Sequence, residues 1–382
     1  MKGLKAAALA MMVLVLLPAR VWAAGPEVKA KSAVLMDVHT GTSLSEQNPH
    51  EKLAPASVTK VMTMLLIMEA IDSGKIRWED QVTASETAAA KGGSQIFLKA
   101  GETMTVTDLV KSIAVSSAND AACAMAEHIA GSEAAFVDMM NARAKELGMN
   151  DTHFVNCTGL DDDPAAAEHR TCAYDIALMS RELLKNHPDI KQFTTIWMDT
   201  VRNGAFGLAN TNKLVRFYSG CTGLKTGFTS GAGYCLSASA QRDGLELIAV
   251  VMGSETSQDR FGASRSLLDY GFANFALYTP QMTEGAAVSV KLGHLDSVSA
   301  VPAGETAVLV DKGQRSSIES EVTLEESVTA PVSAGQRLGT LTVRSGEQVI
   351  AQVPLVAAEP VTRLTFWNLT VQILRQTAMA KP

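Results

Sequence analysis

The chain has 382 residues, of which 47% are hydrophobic and 19% charged, and a formal net charge of −7; this is a globular composition, long enough for a main domain and a smaller one. There is no long Lys/Arg block and no glycine-rich phosphate loop, and the seven histidines and five cysteines form no ordered ligand cluster and no C-x-x-C pair. A nucleic-acid partner and a zinc-dependent mechanism are therefore disfavoured.

In chain order, residues 1–23 carry Lys2 and Lys5, an apolar run from Ala6 to Pro18, and Val21-Trp22-Ala23, the pattern of a secretory signal with its cleavage site. The run is shorter than the ~20 residues of a membrane span, and Arg20 interrupts it. The mature chain is expected to begin at Ala24 and to work outside the cytoplasm. Ser32 to Asp37 and Thr42 to Ser45 predict a hairpin around Gly41. Pro55-Ala56-Ser57 then gives way to Val58, Val61, Met62, Leu65 and Met68, a spacing that predicts an amphipathic helix opening at Ser57.

From about Trp78 to Lys213 the periodicity is mostly helical, over Val106 to Ala114, Ala121 to Ala130, Glu133 to Leu147 and Tyr174 to Leu184, which predicts an inserted helical lobe. Cys157 and Cys172 flank Asp161-Asp162-Asp163-Pro164; in an oxidising compartment they could close that loop as a disulfide, though spacing does not show that their Cα atoms come within the ~7 Å limit. Cys123 reads as core, and Cys221 and Cys235 as small buried residues. Tyr234 to Ala240 and Leu245 to Met252 flank an Asp243-Gly244 turn, a hairpin signal. Ser264 to Leu277 predicts an amphipathic closing helix.

Beyond Pro280, short Val-rich alternating runs broken by Gly, Pro and Asp predict an all-β module. In the tail, Leu364, Trp367, Val371, Leu374 and Ala378 share a helical stripe, with Arg363, Arg375 and Lys381 available to anionic headgroups; Phe366, Leu369 and Ile373 fall off it. A helix lying on a membrane surface and a terminal helix packed on the β module both fit this pattern. The expected division is a signal peptide over 1–23, a main domain over 24–279, a β-sandwich over 280–358 and an amphipathic tail over 359–382.

Three short motifs carry chemistry. Ser57 and Lys60 stand three apart, which on a helix makes them neighbours, so the hydroxyl can donate toward the amine beside a helix N-terminus that favours a developing oxyanion. A serine hydroxyl is a poor nucleophile without a base, and Lys60 can serve only when neutral; burial and the nearby cation of Lys225 would both lower its pKa. Ser117-Ala118-Asn119 and Lys225-Thr226-Gly227 follow, each the single occurrence of its pattern. Ser117 and Asn119 are expected on a turn between two helices, with Asp120 taking the capping position.

In that order, the three motifs resemble those of the serine-type D-alanyl-D-alanine carboxypeptidases, the low-molecular-mass penicillin-binding proteins. The resemblance spans essentially the whole mature chain, through Ala54-Pro55-Ala56-Ser57, Gly93-Ser94-Gln95, Ala173-Tyr174-Asp175 and Gly223-Leu224-Lys225-Thr226-Gly227. It implies an α/β fold of the penicillin-binding and serine β-lactamase type, an antiparallel sheet with a helical lobe, followed by a small all-β domain and a C-terminal amphipathic helix. It further implies that Ser57 forms an acyl-enzyme, that Ser117 relays a proton between Lys60 and the leaving amine, and that Asn119 holds the peptide. Lys225, Thr226 and Gly227 would open an edge strand for the substrate, with the Thr226 hydroxyl on its terminal carboxylate and the backbone N–H groups of Ser57 and Phe228 as oxyanion donors. Some relatives carry His at the position of Phe228, so only its backbone is assigned. Arg260 resembles a family arginine near the carboxylate end of the cleft; a surface arginine at a helix start fits equally.

The substrate so implied is a peptidoglycan stem peptide, with β-lactams as covalent inhibitors, a membrane surface met through the C-terminal helix, and no metal, cofactor or nucleic acid. The rivals are a serine β-lactamase, a D-alanyl endopeptidase of the same superfamily and an inert binding module of this fold. Class A β-lactamases add a glutamate for deacylation. Glu182-Leu183-Leu184-Lys185-Asn186 has a similar spacing but continues a helical run, so Glu182 reads as a solvated helix residue.

Overall fold

A computed structural model describes residues 25–280, 285–367 and 370. The expected signal peptide and, apart from its first residues, the tail stripe from Val371 onward lie outside the described residues.

The main domain is built on an antiparallel five-stranded sheet in the order β2-β1-β9-β8-β7. Its strands are β1 (Ser32–Asp37), β2 (Ser43–Gln47), β7 (Cys221–Thr229), β8 (Gly233–Arg242) and β9 (Leu245–Ser254). Alternation divides the apolar side chains between two cores. Val34, Met36, Ile248 and Val250 face the helical lobe, whereas Ala33, Leu35, Leu247 and Ala249 face α9 (Ser257–Asn274). Because both faces are covered, all ten residues of β9 are buried. The β8–β9 turn takes the Asp243-Gly244 form expected, with φ of 50° and 84° at its two centres.

Between β2 and β7 the chain makes the lobe. In order it comprises α1 (Lys60–Asp72), β3 (Gln81–Thr83), α2 (Glu86–Ala89), β4 (Thr103–Thr105), α3 (Val106–Ser116), α4 (Asn119–Ala130), α5 (Glu133–Glu146), α6 (Ala173–Asn186), α7 (Lys191–Thr194), β5 (Met198–Val201), β6 (Phe206–Ala209) and α8 (Leu214–Phe217). The four long helices expected there are present. The two small hairpins, β3 with β4 and β5 with β6, leave too short a periodic trace in the sequence to be foreseen.

Two expectations about helices are corrected. The helix after Ser57 is not amphipathic: every residue from Lys60 to Met68 is buried, because α1 runs through the centre of the core, packed against α3, α4, α5, α6 and β7. Such a helix is apolar all round. The closing helix begins at Ser257 rather than Ser264, since the Thr256 hydroxyl accepts the Asp259 N–H at 3.0 Å and caps it. It ends at Asn274, and the residues expected to finish it form the strand β10 (Phe275–Tyr278).

The second module is all-β. It comprises β11 (Ala287–Lys291), β12 (Ser297–Pro302), β13 (Val308–Asp311), β14 (Ile318–Leu324), β15 (Ser327–Thr329), β16 (Arg337–Ser345) and β17 (Gln348–Ala357). Six of these strands form one sheet in the order β14-β16-β17-β12-β11-β15, while β13 pairs with β10 of the main domain. Leu309 on β13 also joins the apolar core between α9 and the main sheet. The join between the modules is thus a shared strand pair rather than a bare linker.

Candidate active site

Ser57 sits in a 3-10 turn, Ala56–Thr59, that leads into α1. Lys60 Nζ lies 3.1 Å from Ser57 Oγ, and 2.8 Å from the Thr158 carbonyl, to which it donates. Ser57 is half-buried and Lys60 fully buried. Burial pushes the Lys60 amine down from 10.5 to about 7, with Cys157 and Asp120 opposing it in part. The two buried amines repel one another, and the effect is seen at Lys225. Its pKa is lowered by burial first, then by Lys60 and Arg260.

Ser117 is the C-cap of α3, in the left-handed region at φ 65°. Its hydroxyl is buried and carries no hydrogen bond in the structure. Asn119 opens α4; its Nδ2 donates to the Gly92 carbonyl at 2.7 Å, while its Oδ1 is buried and unpaired. A buried polar atom without a partner costs about 1–3 kcal/mol, and two of them at neighbouring positions mark a place shaped for a visiting donor and acceptor. Asp120 is not the cap expected of it. Position Ala118 caps α4, and the Asp120 carboxylate accepts the N–H groups of Ile96, Leu98 and Ala121, fastening the 92–98 loop beside Asn119.

Lys225, Thr226 and Gly227 lie on β7, one of the two outer strands of the sheet. Lys225 Nζ donates to the Thr226 carbonyl, and the hydroxyls of Thr226 and Thr211 are 2.6 Å apart. Gly227 allows β7 to approach the Ser57 turn: a Cβ there would stand 2.6 Å from the Pro55 carbonyl oxygen and 3.1 Å from the Ser57 nitrogen. Phe228 turns its ring outward, exposed and stacked on Tyr234 with centroids 4.3 Å apart. Arg260 is buried rather than a surface residue; its Nη1 donates to the carbonyls of Gly227 and Cys235, and its Nε is unpaired. Loss of hydration pulls it down to about 10.

The nine residues singled out in the sequence thus fall on the Ser57 turn, the α3–α4 junction, β7 and the start of α9. Sequence patterns missed the loop that closes the site from above. Thr158 supplies the carbonyl for Lys60, and Thr63 Oγ1 ties the adjacent Cys157 carbonyl to α1 at 2.6 Å. Leu160 lines two hollows along this loop, of about 540 and 310 Å³, the first walled by Lys91, Gly92 and Asn156, the second by Pro55, Ala56, His169 and Gly231. No disulfide spans this loop in the structure: Cys157 and Cys172 are both free. The Cys157 thiol faces Glu133 Oε1 at 3.2 Å, and the Cys172 sulfur accepts the Asp175 N–H at the start of α6. Glu182 is not solvated either; it accepts a hydrogen bond from Arg143 at 2.6 Å, in a network shared with Glu69.

A serine hydroxyl within reach of a depressed lysine, beside a strand edge, is an arrangement able to carry out serine acyl transfer. A family model described as D-alanyl-D-alanine carboxypeptidase matches residues 19–256, and one described as penicillin-binding protein 5, C-terminal domain, matches 279–363. D-alanyl-D-alanine carboxypeptidase DacF of Bacillus subtilis is 44% identical over 88% of this chain and 87% of its own length. The Escherichia coli enzyme DacC is 35% identical over 90% and 87%. Among solved structures, penicillin-binding protein 5 from Haemophilus influenzae superposes with a TM-score of 0.76 at 32% identity, covering 88% of this chain and 99% of that one. Penicillin-binding protein D2 from Listeria monocytogenes, solved with ampicillin bound, gives 0.59 at 33% identity over 65% and 100%. The chain belongs to the D-alanyl-D-alanine carboxypeptidase family.

Proposed function

We propose that the protein removes the terminal D-alanine from peptidoglycan stem pentapeptides through an acyl-enzyme on Ser57. The observation that carries this is the 3.1 Å approach of Lys60 Nζ to Ser57 Oγ, made by a lysine that burial brings to about 7. Neutral Lys60 takes the Ser57 proton as Oγ attacks the penultimate D-alanine carbonyl. The N–H groups of Ser57 and Phe228 receive the oxyanion. Ser117 passes the proton on to the leaving nitrogen, the C–N bond breaks, and D-alanine departs. Water then attacks the ester, releasing the tetrapeptide carboxylate and restoring Ser57. Asn119 holds the peptide through its unpaired Oδ1, and the substrate lies as an added strand along β7. Lys225 and the Thr226 hydroxyl hold the terminal carboxylate, and Gly227 keeps the strand edge open. Arg260, bonded to the Gly227 carbonyl, braces that end of β7 and adds positive potential.

A β-lactam that mimics the terminal amide would acylate the same serine. Deacylation fast enough for a β-lactamase lacks its glutamate here, since Glu182 is held by Arg143. The test is product analysis. A stem pentapeptide should yield stoichiometric D-alanine with benzylpenicillin turning over slowly if at all; rapid penicillin hydrolysis, or cleavage of cross-linked dimers in preference to pentapeptide, would replace this reading with the β-lactamase or the endopeptidase.

The division into a main domain over 24–279, a β-sandwich over 280–358 and a tail over 359–382, together with secretion through residues 1–23, belongs to the same proposal. So does attachment of the tail to the outer face of the cytoplasmic membrane. In support, Phe366 and Trp367, the last consecutive described residues, are 81% and 75% exposed, and no described helix is long and apolar enough to cross a membrane. Removal of residues 360–382 should release an active enzyme from membranes; a truncated protein that still partitions with vesicles would defeat the anchoring role.

A further inference from the structure

Ser57 is preceded by Ala56, whose φ of 49° places a residue with a Cβ in the left-handed region, a strain of about 1–3 kcal/mol that its surroundings must hold. Those surroundings form a buried chain of hydrogen bonds. Thr59 Oγ1 lies 2.8 Å from the Ala56 carbonyl oxygen and 2.8 Å from His169 Nε2. A carbonyl only accepts, so the single hydroxyl proton goes to Ala56 and the hydroxyl accepts from Nε2–H. The other ring nitrogen, Nδ1, accepts the Val155 N–H at 3.1 Å. Both ring positions are therefore fixed in one neutral tautomer, in keeping with burial that pushes His169 down to about 4. From another side Gly159, at φ 79°, closes on the same carbonyl; a Cβ there would fall 1.8 Å from the Ala56 oxygen.

The peptide joining Ala56 to Ser57 is planar and trans, so its carbonyl and the Ser57 N–H point in opposite directions in one plane. Fixing the oxygen fixes the N–H. That N–H emerges beside β7, with the Ser57 nitrogen 3.1 Å from the place a Gly227 Cβ would occupy. We propose that His169 and Thr59 are positioning residues for acyl transfer, holding the Ala56 carbonyl so that the Ser57 N–H is aimed at the developing oxyanion. Both side chains are buried; Thr59 fills an unspecified position between Ser57 and Lys60, and His169 lies outside the three sequence motifs. The inference rests on Ser57 as nucleophile and as one oxyanion donor.

The test uses the mature full-length protein and radiolabelled benzylpenicillin. Label is first mapped in the wild type; attachment away from Ser57 would defeat the nucleophile assignment itself, so that failure is distinct from failure of the relay. Thr59→Val then removes the hydroxyl at nearly constant volume, and Thr59→Ser keeps it. Removing a whole oxyanion donor costs about 10²–10³ in rate, so misaiming one in Thr59→Val should slow acylation and deacylation alike by about tenfold or more, with binding before acylation within about twofold of wild type and one label still bound per chain. Thr59→Ser should acylate within about threefold of wild type. A merely structural role would instead lower the labelled fraction and leave the rates of the remainder unchanged. That result, or a Thr59→Ser as slow as Thr59→Val, overturns the proposal. Should Thr59→Val fail to fold, Thr59→Ala carries the same expectations without crowding.

Discussion

The proposed base is Lys60, and burial gives it the depressed pKa that role requires. A lysine in water is protonated far above neutrality, whereas this one loses its proton near pH 7, so the acid limb of penicillin acylation should have its midpoint near there. A rate already flat down to pH 5 would contradict the assignment. The same shift costs stability. Between about 7 and 10.5 the unfolded chain holds a proton at this position that the folded chain does not, so stability rises with pH through that window and is lost as pH falls through it. Each pKa unit corresponds to about 1.4 kcal/mol, so Lys60→Met, which buries no amine, should unfold at higher urea than wild type at pH 7 while failing to acylate. A destabilised Lys60→Met would mean that the hydrogen bonds to Ser57 and Thr158 outweigh the desolvation. Motif residues were legible because their side-chain chemistry is their function. Thr158 was not, since it contributes a carbonyl that any residue carries. Spacing alone left open whether Cys157 and Cys172 pair; reaction of the unfolded chain with a thiol reagent should count five free cysteines without prior reduction.

At the level of elements, the site is an α3–α4 junction and a 3-10 turn pressed against a strand edge. Asp120 couples the first of these to its neighbours through three backbone N–H groups. Its anion also raises the pKa of Lys60. Asp120→Asn should therefore lower stability by about 1–3 kcal/mol, from the N–H groups left poorly satisfied, and move the acid limb of acylation to lower pH because Lys60 loses an anion that favours its proton. A limb shifted to higher pH would contradict that electrostatic link. Long helices of the lobe were legible from period 3.6, and the β8–β9 hairpin from Asp243-Gly244. The character of α1 was not, because Val61, Met62, Leu65 and Met68 fit an amphipathic stripe just as well as a helix buried on all sides. Only the layers packed on both faces, which no local window contains, decide between them. The start of α9 at Ser257 was missed for a simpler reason: its cap, Thr256, lies eight residues before Ser264, where the expected helix began.

Across the whole molecule, one antiparallel sheet separates α9 from the lobe, and β7, the proposed substrate edge, is one of its two outer strands. The change in composition after Pro280 marked the second module correctly as all-β, but alternation could not show that β13 returns to pair with β10. That return gives the second module a structural share in the first. A chain cut at residue 279 should keep every proposed catalytic residue yet lose the strand beside β10 and the Leu309 side chain from the core; burial of one such leucine stabilises by about 1.5–3 kcal/mol. The cut protein should therefore acylate, with a lower urea midpoint than the chain ending at 359. Equal midpoints would show that the shared strand pair contributes nothing to the main domain.

The most direct measurement is peptide mapping of the penicillin adduct. Mature protein incubated with labelled benzylpenicillin and digested should carry the label on the peptide containing Ser57, one per chain, and Ser57→Ala should carry none. Label on another residue, or undiminished labelling of Ser57→Ala, would contradict Ser57 as the nucleophile.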